Sequence, residues 1–585
     1  MKREMTLISG LVFLILSVTL NGQLFFEDRA ILAGVDHAYG IGVAGGGASF
    51  CDFNGDGWED LTIASQVGDL IAFYENREGT FVKIPPLIDN TDEVKQILWA
   101  DIDNDGDKDL FITTLRAPNR LYENRGNMQL VDITAAAGLS LAPIDSYGAC
   151  IGDFDRDGWL DIYVTQRGIY FPGNENFLYK NNGNGTFTDV TALSQTRTPG
   201  IAPFCASFFD LNNDLWPDIY IAQDRMRGNT LLRNNGNVTF SNISEAASAN
   251  LRMDAMGIAV GDYNCDGYQD IYISNTPHGN RLLQNRGNET FVEVAETCGV
   301  LFESTAWGCQ FFDADNDGWE DLYVSGMVVT SSNVSSLFYR NLGGSHFEVP
   351  DAGFVGDTVS SFGNAVGDFN HDGALDLIVV NTGIYKVQLW KNTGVTNEWL
   401  KLKLEGVMSN RDAIGVRVDL FAGGHRQMRY VHCGISFLGQ NTETLHFGLN
   451  DRQMVDSVII TWPTGHVDRL YDIESRQVIY LKEGATTSGE IYVEPGLNTT
   501  RVTEIIPDEA FRVFPNPTSG ALTIELEQAY FPATLKLWDI TGRMIWQTPF
   551  SHSKKSIELP DLSSGIYFLT IHNGNKMGRK RIVVQ

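Results

Sequence analysis

A nine-residue word, DADNDGWED at Asp313 to Asp321, constrains this chain more than any other feature, because seven versions of it recur. The others begin at Asp52, Asp101, Asp153, Asp210, Asp262 and Asp368, and successive first aspartates lie 49, 52, 57, 52, 51 and 55 residues apart. A fixed period of this size marks a repeat architecture. Within each word, oxygen-bearing side chains stand at positions 1, 3, 5 and 9. These are Asp52, Asn54, Asp56 and Asp60; Asp101, Asp103, Asp105 and Asp109; Asp153, Asp155, Asp157 and Asp161; Asp210, Asn212, Asp214 and Asp218. The last three sets are Asp262, Asn264, Asp266 and Asp270; Asp313, Asp315, Asp317 and Asp321; Asp368, Asn370, Asp372 and Asp376.

Carboxylates at alternate positions of one loop repel unless a cation sits among them. A hard dication that takes six to eight oxygens fits such a loop, with a main-chain carbonyl near position 7 completing the set, so up to seven Ca²⁺ ions are expected. One acidic Asn/Asp/Gly cluster is more often a solvated turn. Here 24 Asp and 4 Asn hold all 28 positions, a spacing that a random acidic surface would not keep. An EF-hand is excluded because position 12 carries no Glu and strand-like rather than helical sequence follows. Loop 4 departs from the pattern, with Leu215 in place of Gly and Pro217 close behind. A bulky residue is costly at positive φ, so a weaker or reshaped site is expected there.

The apolar stretches around each word set the fold class. A strand leads in, as in Met256-Gly-Ile-Ala-Val-Gly261, and a second follows, as in Asp321-Leu-Tyr-Val324. A third reads Asn176-Phe-Leu-Tyr-Lys-Asn181, and an Asn/Gly turn leads to a fourth, Thr186-Phe-Thr-Asp-Val190. Four short strands in about 50 residues make one blade of a β-propeller, so an all-β chain with a seven-bladed propeller over 23–396 is expected. A solenoid would need capping repeats, and none is apparent. The seventh repeat lacks its own fourth strand, and Leu24-Phe-Phe-Glu-Asp28 resembles the missing piece. The N-terminal strand is therefore expected to close the last blade and protect two sheet edges.

The Phe362-Gly-Asn-Ala-Val-Gly-Asp-Phe369 approach and the Asp loops together resemble FG-GAP/VCBS repeats, which implies a seven-bladed propeller with calcium in the blade loops. From about Trp399 the period changes. Asn410-Arg-Asp-Ala-Ile-Gly-Val-Arg-Val418, Gly434-Ile-Ser-Phe-Leu-Gly-Gln440, Leu445-His-Phe-Gly-Leu449 and Val455 to Gly465 resemble the ASPIC/UnbV domain, with Cys433, Gly439 and Asn450 as departures. Alternation implies a small β-domain over 397–482. The pairing of the two is similar to the family of secreted acidic cartilage proteins and implies a calcium-dependent matrix or surface protein. His425, His432, His446 and His466 fall in this domain, but no i, i+2 or i, i+4 pairing points to zinc.

Residues 483–510, rich in Thr, Gly, Glu and Pro, read as a linker. The charge then changes sign: 511–585 hold nine Lys/Arg against five Asp/Glu. Phe514-Pro-Asn-Pro-Thr-Ser-Gly520, Leu537-Trp-Asp-Ile-Thr-Gly-Arg543 and Leu562-Ser-Ser-Gly-Ile-Tyr567 resemble the type IX secretion system C-terminal sorting domain. The resemblance implies a terminal β-sandwich that engages the secretion machinery of a Gram-negative bacterium, with the cargo released or anchored at the outer-membrane surface. Residues 1–22 have the layout of a signal peptide: Lys2 and Arg3, an apolar run from Leu7 to Leu20, and Gly22. No later segment is long and apolar enough for a transmembrane span.

A net charge of −30 argues against nucleic acid and anionic membranes as partners, and seven dications would bring it to −16. Of seven cysteines, Cys51, Cys150, Cys205 and Cys309 sit on strands before Asp loops and read as packing residues. Cys298 and Cys309 are a candidate pair for an oxidising compartment. The GxGxxG match at Gly40 to Gly45 is followed by no helix, and Walker A, HExxH and GxSxG words are absent. The leading expectation is a non-enzymatic calcium-binding protein, secreted or on the cell surface, that adheres to an extracellular glycan or protein. The alternatives are a carbohydrate-active lyase or hydrolase on the propeller face, and a passive scaffold.

Overall fold

The structure is a computed structural model that describes residues 24–168, 175–198, 202–328, 336–354, 357–488, 491–493, 504–505, 510–518, 521–538, 544–559, 562–573 and 576–584. The expected signal peptide lies outside the described residues. Seven four-stranded antiparallel units follow one another. Their innermost strands are Ala48–Cys51, Glu93–Ala100, Ile144–Gly152, Pro203–Phe209, Ile258–Gly261, Thr305–Phe312 and Ser361–Gly367. Each packs beside the next, and the seventh packs against the first, so the units form a closed ring of blades. The second and third blades are also joined by pairing of Ile144 with Ala117 and Asp145 with Leu115. Inner strands such as Glu93–Ala100 and Asp218–Gln223 are buried along their whole length because a neighbouring blade covers each face. That is why segments such as 97–100 and 219–222 read as continuous apolar runs and not as alternating ones.

The ring closes with the N-terminal strand. Phe25–Asp28 pairs antiparallel with Gln388–Thr393 as the outer strand of the seventh blade, with Phe26 opposite Asn392. Phe26 is buried among Phe312, Phe338 and Phe354, ring centroids 5.1–6.3 Å away. The closure expected from the sequence is present, and it covers the edge that Gln388–Thr393 would otherwise expose.

The second domain consists of two four-stranded sheets. One orders Leu445–Asn450, Glu398–Glu405, Gln477–Lys482 and Ile491–Val493; the other orders His425–Tyr430, Arg417–Ala422, Met454–Thr461 and Val467–Glu474. Its core residues Val418, Phe447, Ile460 and Trp462 belong to one buried cluster with Leu98, Ile151 and Val164 of the propeller, so the two units share apolar packing. The segment read as a linker is paired on both sides: Ile491–Val493 extends the first sheet, and Glu504–Ile505 pairs with Lys576 and Met577 of the tail. The tail is a two-sheet sandwich of five and three strands.

Residues 431–444 leave the second domain and enter the axis of the propeller, where they touch the innermost strand of every blade. Phe50 N donates to Gln440 O at 3.0 Å, Ile151 N to Cys433 O at 2.9 Å and Ser436 N to Ile258 O at 2.8 Å. The Gln440 amide accepts from Trp99 N at 2.9 Å and donates to Trp99 O at 2.7 Å. His432 Nδ1 meets Phe208 O at 3.1 Å, Cys309 N donates to Ser436 Oγ at 3.1 Å, and Val366 N to Asn441 Oδ1 at 2.9 Å. The tip residue Phe437 is fully buried among Phe204, Trp307 and Phe362. Inner-strand glycines make room for it: a Cβ on Gly47 would lie 1.7 Å from Leu438 O.

All seven cysteines are free, so the candidate pairing of Cys298 with Cys309 is corrected. The two face different partners: Cys298 Sγ lies 3.8 Å from Tyr263 OH, and Cys309 Sγ 3.8 Å from Tyr272 O. Cys51, Cys150, Cys205 and Cys309 are buried.

Candidate metal centres

Each Asp word forms the turn between the first and second strands of its blade, and the backbone hydrogen bonds repeat from loop to loop. The first aspartate accepts the N–H of position 6 on Oδ2: Gly57 at 3.1 Å, Gly106, Gly158, Gly267, Gly318 and Gly373 at 2.9 Å. The closing aspartate accepts the N–H of an asparagine on the third strand, as Asp60 does from Asn76 at 2.8 Å and Asp321 from Asn341 at 2.7 Å. Position 5 accepts the N–H of position 7, as Asp157 does from Trp159 at 3.1 Å. In loops 2 to 7 the first aspartate also accepts the N–H of position 5 on Oδ1, so these bonds hold the carboxylates inside the turn.

Loop 4 keeps the same pattern. Leu215 N donates to Asp210 Oδ2 at 2.9 Å, and Leu215 takes φ 71°, where its counterparts are glycines at 86–103°. The reshaping expected of this loop does not occur; the leucine adopts the left-handed backbone instead. Leu215→Gly should then raise stability by up to ~1 kcal/mol, the order of the left-handed penalty. Chemical denaturation of the two proteins checks this, and an unchanged or lower midpoint would contradict it.

The structure brings three carboxylates together, ligand atoms within 4.8 Å of one another, at Asp101, Asp103 and Asp109, at Asp153, Asp155 and Asp161, and at Asp313, Asp315 and Asp321. The four remaining loops carry Asn at position 3. Asn54 Oδ1 accepts from Asp56 N at 2.9 Å, and the Nδ2 groups of Asn212, Asn264 and Asn370 donate to Asp214, Asp266 and Asp372 at 2.9–3.0 Å. Buried oxygens without a hydrogen-bond partner point into the loops: Asp52 Oδ1, Asp60 Oδ2, Asp155 Oδ1, Asp270 Oδ2 and Asp376 Oδ2. Burial, reinforced by neighbouring carboxylates, pushes Asp60 and Asp109 up to about 8 and Asp101, Asp153 and Asp262 to about 7. Asp161, Asp218, Asp270, Asp313, Asp321 and Asp376 are raised well above the ordinary carboxylate range for the same reason. An all-oxygen set with unpartnered carboxylate oxygens is the chemistry of a hard-cation site.

Side chains beyond the 28 also shape these centres. Asn181 Nδ2 bonds its own loop at Leu160 O, 3.2 Å, and the preceding blade's loop at Ile102 O, 2.8 Å. Asn76, Asn234, Asn285, Asn341 and Asn392 do the same around the ring. Position 4 reaches forward to the next loop. Asn104, Asn213 and Asn316 donate to Gly158 O, Gly267 O and Gly373 O at 2.9–3.0 Å, Arg156 lies over the Trp216 ring at 4.9 Å, and His371 stacks on Trp58 at 4.0 Å. The recurrence of an asparagine near the end of each third strand was the available sequence signal.

The second domain caps this loop face. Lys403 Nζ lies 3.0 Å from Asp52, Lys401 pairs with Asp368, Lys108 bridges Asp412 and Glu443 at 2.6–2.7 Å, and Arg429 lies 3.3 Å from Glu320. Three of its histidines serve the contact. His425 Nε2 meets Gly318 O at 3.3 Å, His446 Nε2 donates to Asn316 Oδ1 at 2.7 Å, and His432 meets Phe208 O. Burial lowers all three, His432 to about 4. His466 lies 3.5 Å from Asp468.

A closed ring of Asp-loop blades, capped and plugged by a second β-domain, defines a multidomain repeat protein. FG-GAP-like repeats match at 52–112, 101–164, 169–221, 210–273 and 264–324, the ASPIC and UnbV domain at 406–488, and the secretion system C-terminal sorting domain at 512–585. The chain is thus an all-β protein that combines FG-GAP repeats, an ASPIC/UnbV domain and a type IX sorting tail. It is similar to cartilage acidic protein 1 of Xenopus tropicalis, 22% identical over 460 residues, and of Mus musculus, 24% over 468, covering 63% of this chain and 70% of each relative. A solved Agrocybe aegerita lectin that recognises non-reducing terminal N-acetylglucosamine aligns with TM-score 0.36 and 19% identity over 58% of this chain and 85% of that one. The sorting tail implies export, and no described helix is long and apolar enough to cross a membrane.

Proposed function

We propose that this is a calcium-binding, non-enzymatic binding protein, secreted or held at the outer-membrane surface of a Gram-negative bacterium, that captures an extracellular glycan or protein ligand. Two observations support the calcium reading: carboxylates converge within 4.8 Å in loops 2, 3 and 6, and buried carboxylate oxygens of loops 1, 3, 5 and 7 have no hydrogen-bond partner, with Asp155 of loop 3 in both sets. Positions 1, 3, 5 and 9 of each word would hold the ion. Calcium would tie the first two strands of a blade together and offset the repulsion among the aspartates. The test is calorimetric titration of chelator-stripped protein with Ca²⁺; absence of saturable binding would refute the reading.

The sites are not equivalent. The residue before the third-strand asparagine is Lys180, Arg340 and Lys391 in blades 3, 6 and 7, but Glu75 and Glu123 in blades 1 and 2. Lys180 Nζ reaches Asp155 and lies 2.5 Å from Asp157; Arg340 lies 2.7 Å from Asp315 and Lys391 3.2 Å from Asp372. A cation must compete with these ammonium and guanidinium groups. Lys180→Gln should therefore tighten one calcium site by roughly two- to fivefold, the scale of a partly exposed charge pair. Titration of the variant beside the parent checks it, and an unchanged or weaker site is the contrary result.

Removal of residues 511–585 should leave the protein in the periplasm, as cell fractionation would show. Normal release or surface display of the truncated chain would refute the assignment of export to the tail.

A further inference from the structure

A cavity of about 360 Å³ lies where the loops of blades 1 and 7 meet the first sheet of the second domain. Its volume is within the range of small-molecule sites. Aromatic side chains line it: Trp58 from loop 1, stacked on His371 of loop 7, with Trp399 and Tyr480 from the second domain. Lys401 and Lys403, on strand Glu398–Glu405, also line it, as does Gln477, a residue 7% exposed whose Oε1 has no hydrogen-bond partner. Asp52, Asp56, Glu59 and Glu443 line it too, balanced by Lys108, Arg476 and the two lysines, so the cations are available to an anionic sugar only as their loop aspartates are drawn elsewhere; the ring faces and the unused amide acceptor suit the sugar itself.

The lysines have a particular relation to the metal loops. Lys403 pairs with Asp52 and Lys401 with Asp368, and these are the first aspartates of loops 1 and 7. A dication in those loops would draw the same carboxylates to itself. The ammonium groups would then face the cavity with less counter-charge, and a carboxylate ligand would be attracted to them.

We propose that this cavity binds an acidic saccharide, a uronate-bearing sugar unit, in the calcium-loaded protein: Trp58 and Tyr480 contact the sugar faces, Lys401 and Lys403 take the carboxylate, and Gln477 Oε1 accepts from a hydroxyl. The assignment rests on the calcium reading above and names the ligand class for it. A neutral apolar ligand would offer no counter-charge to the buried Lys401 ammonium or to the partly exposed Lys403 ammonium beside it.

The test is calorimetric titration of the full chain, without its signal segment, with trigalacturonate and, as a neutral comparator, maltotriose, each in saturating Ca²⁺ and in chelator. Trigalacturonate should bind in calcium and lose affinity by about tenfold or more in chelator, while maltotriose gives no binding. Trp58→Ala and Lys403→Gln, each confirmed folded by an unchanged unfolding temperature, should each weaken trigalacturonate by about tenfold, the scale of one lost stacking or charge-assisted contact. Calcium binding without trigalacturonate binding, equal binding of the two sugars, or folded variants that bind like the parent would overturn the proposal and leave the calcium reading intact. Failure of calcium to bind at all would overturn both.

Discussion

Stripped of calcium, the protein should unfold at a temperature lower by on the order of 10 °C or more, because each site at a hundredfold excess of ligand contributes about 2.7 kcal/mol by linkage and several sites add. The pH dependence should differ between the two states. In the metal-free protein, burial raises Asp60 and Asp109 to about 8 and Asp101, Asp153 and Asp262 to about 7, from 3.8. Between roughly pH 4 and 8 the folded metal-free chain therefore holds protons that the unfolded chain has released. Stability in chelator should fall as pH rises through that window, since each ionisation then places an uncompensated charge in a buried loop. With calcium present the trend should reverse, because the ion needs those carboxylates deprotonated. Thermal unfolding from pH 5 to 8, with Ca²⁺ and with chelator, checks both signs. Parallel curves in the two conditions would mean that the loops hold no cation of consequence.

The sequence showed the loops and strands because both are local. Alternate oxygens before an apolar run define the turn, and the missing fourth strand of repeat 7 pointed to Phe25–Asp28, which pairs with Gln388–Thr393. Leu215 shows a limit of local reasoning. A leucine at positive φ predicts a reshaped loop, yet the surrounding blade holds the turn and the residue adopts 71°. The inter-loop links were visible as recurring residues, but their role was not: Asn76 reaches Phe369 O, 293 residues later, a contact that exists only once the ring has closed. The axial segment was least legible. Residues 431–444 have no strand periodicity, and Cys433 and Gly439 read as departures from a family pattern. Both lie on the axis, where the Cys433 and Gly439 carbonyls accept from Ile151 N at 2.9 Å and Gln96 Nε2 at 3.3 Å. Gly47 shows the same dependence on partners, since only a docked Leu438 explains why a side chain there would clash.

That axial segment carries the second large prediction. Propellers pack adjacent blades well, but their inner strands leave backbone groups facing the axis, and here one segment from another domain satisfies them in all seven blades. Phe437 fills the centre, with ring centroids 4.8 Å from Trp307 and 5.6 Å from Phe204. Phe437→Ala should cost about 3–5 kcal/mol, the range for a buried aromatic truncated in a packed core. Gln440→Ala should cost about 1–3 kcal/mol, because Trp99 N–H and C=O lose their partner where water does not reach. Gly47→Val should be worse than either, since its Cβ and Leu438 O cannot occupy the same space. As the segment also joins the two domains into one buried cluster, propeller and second domain should unfold in a single calorimetric transition, and the propeller alone, ending at residue 396, should melt well below the longer chain. Two separated transitions in the intact protein, or a truncated propeller of undiminished stability, would show that the segment only occupies the axis and does not hold the ring.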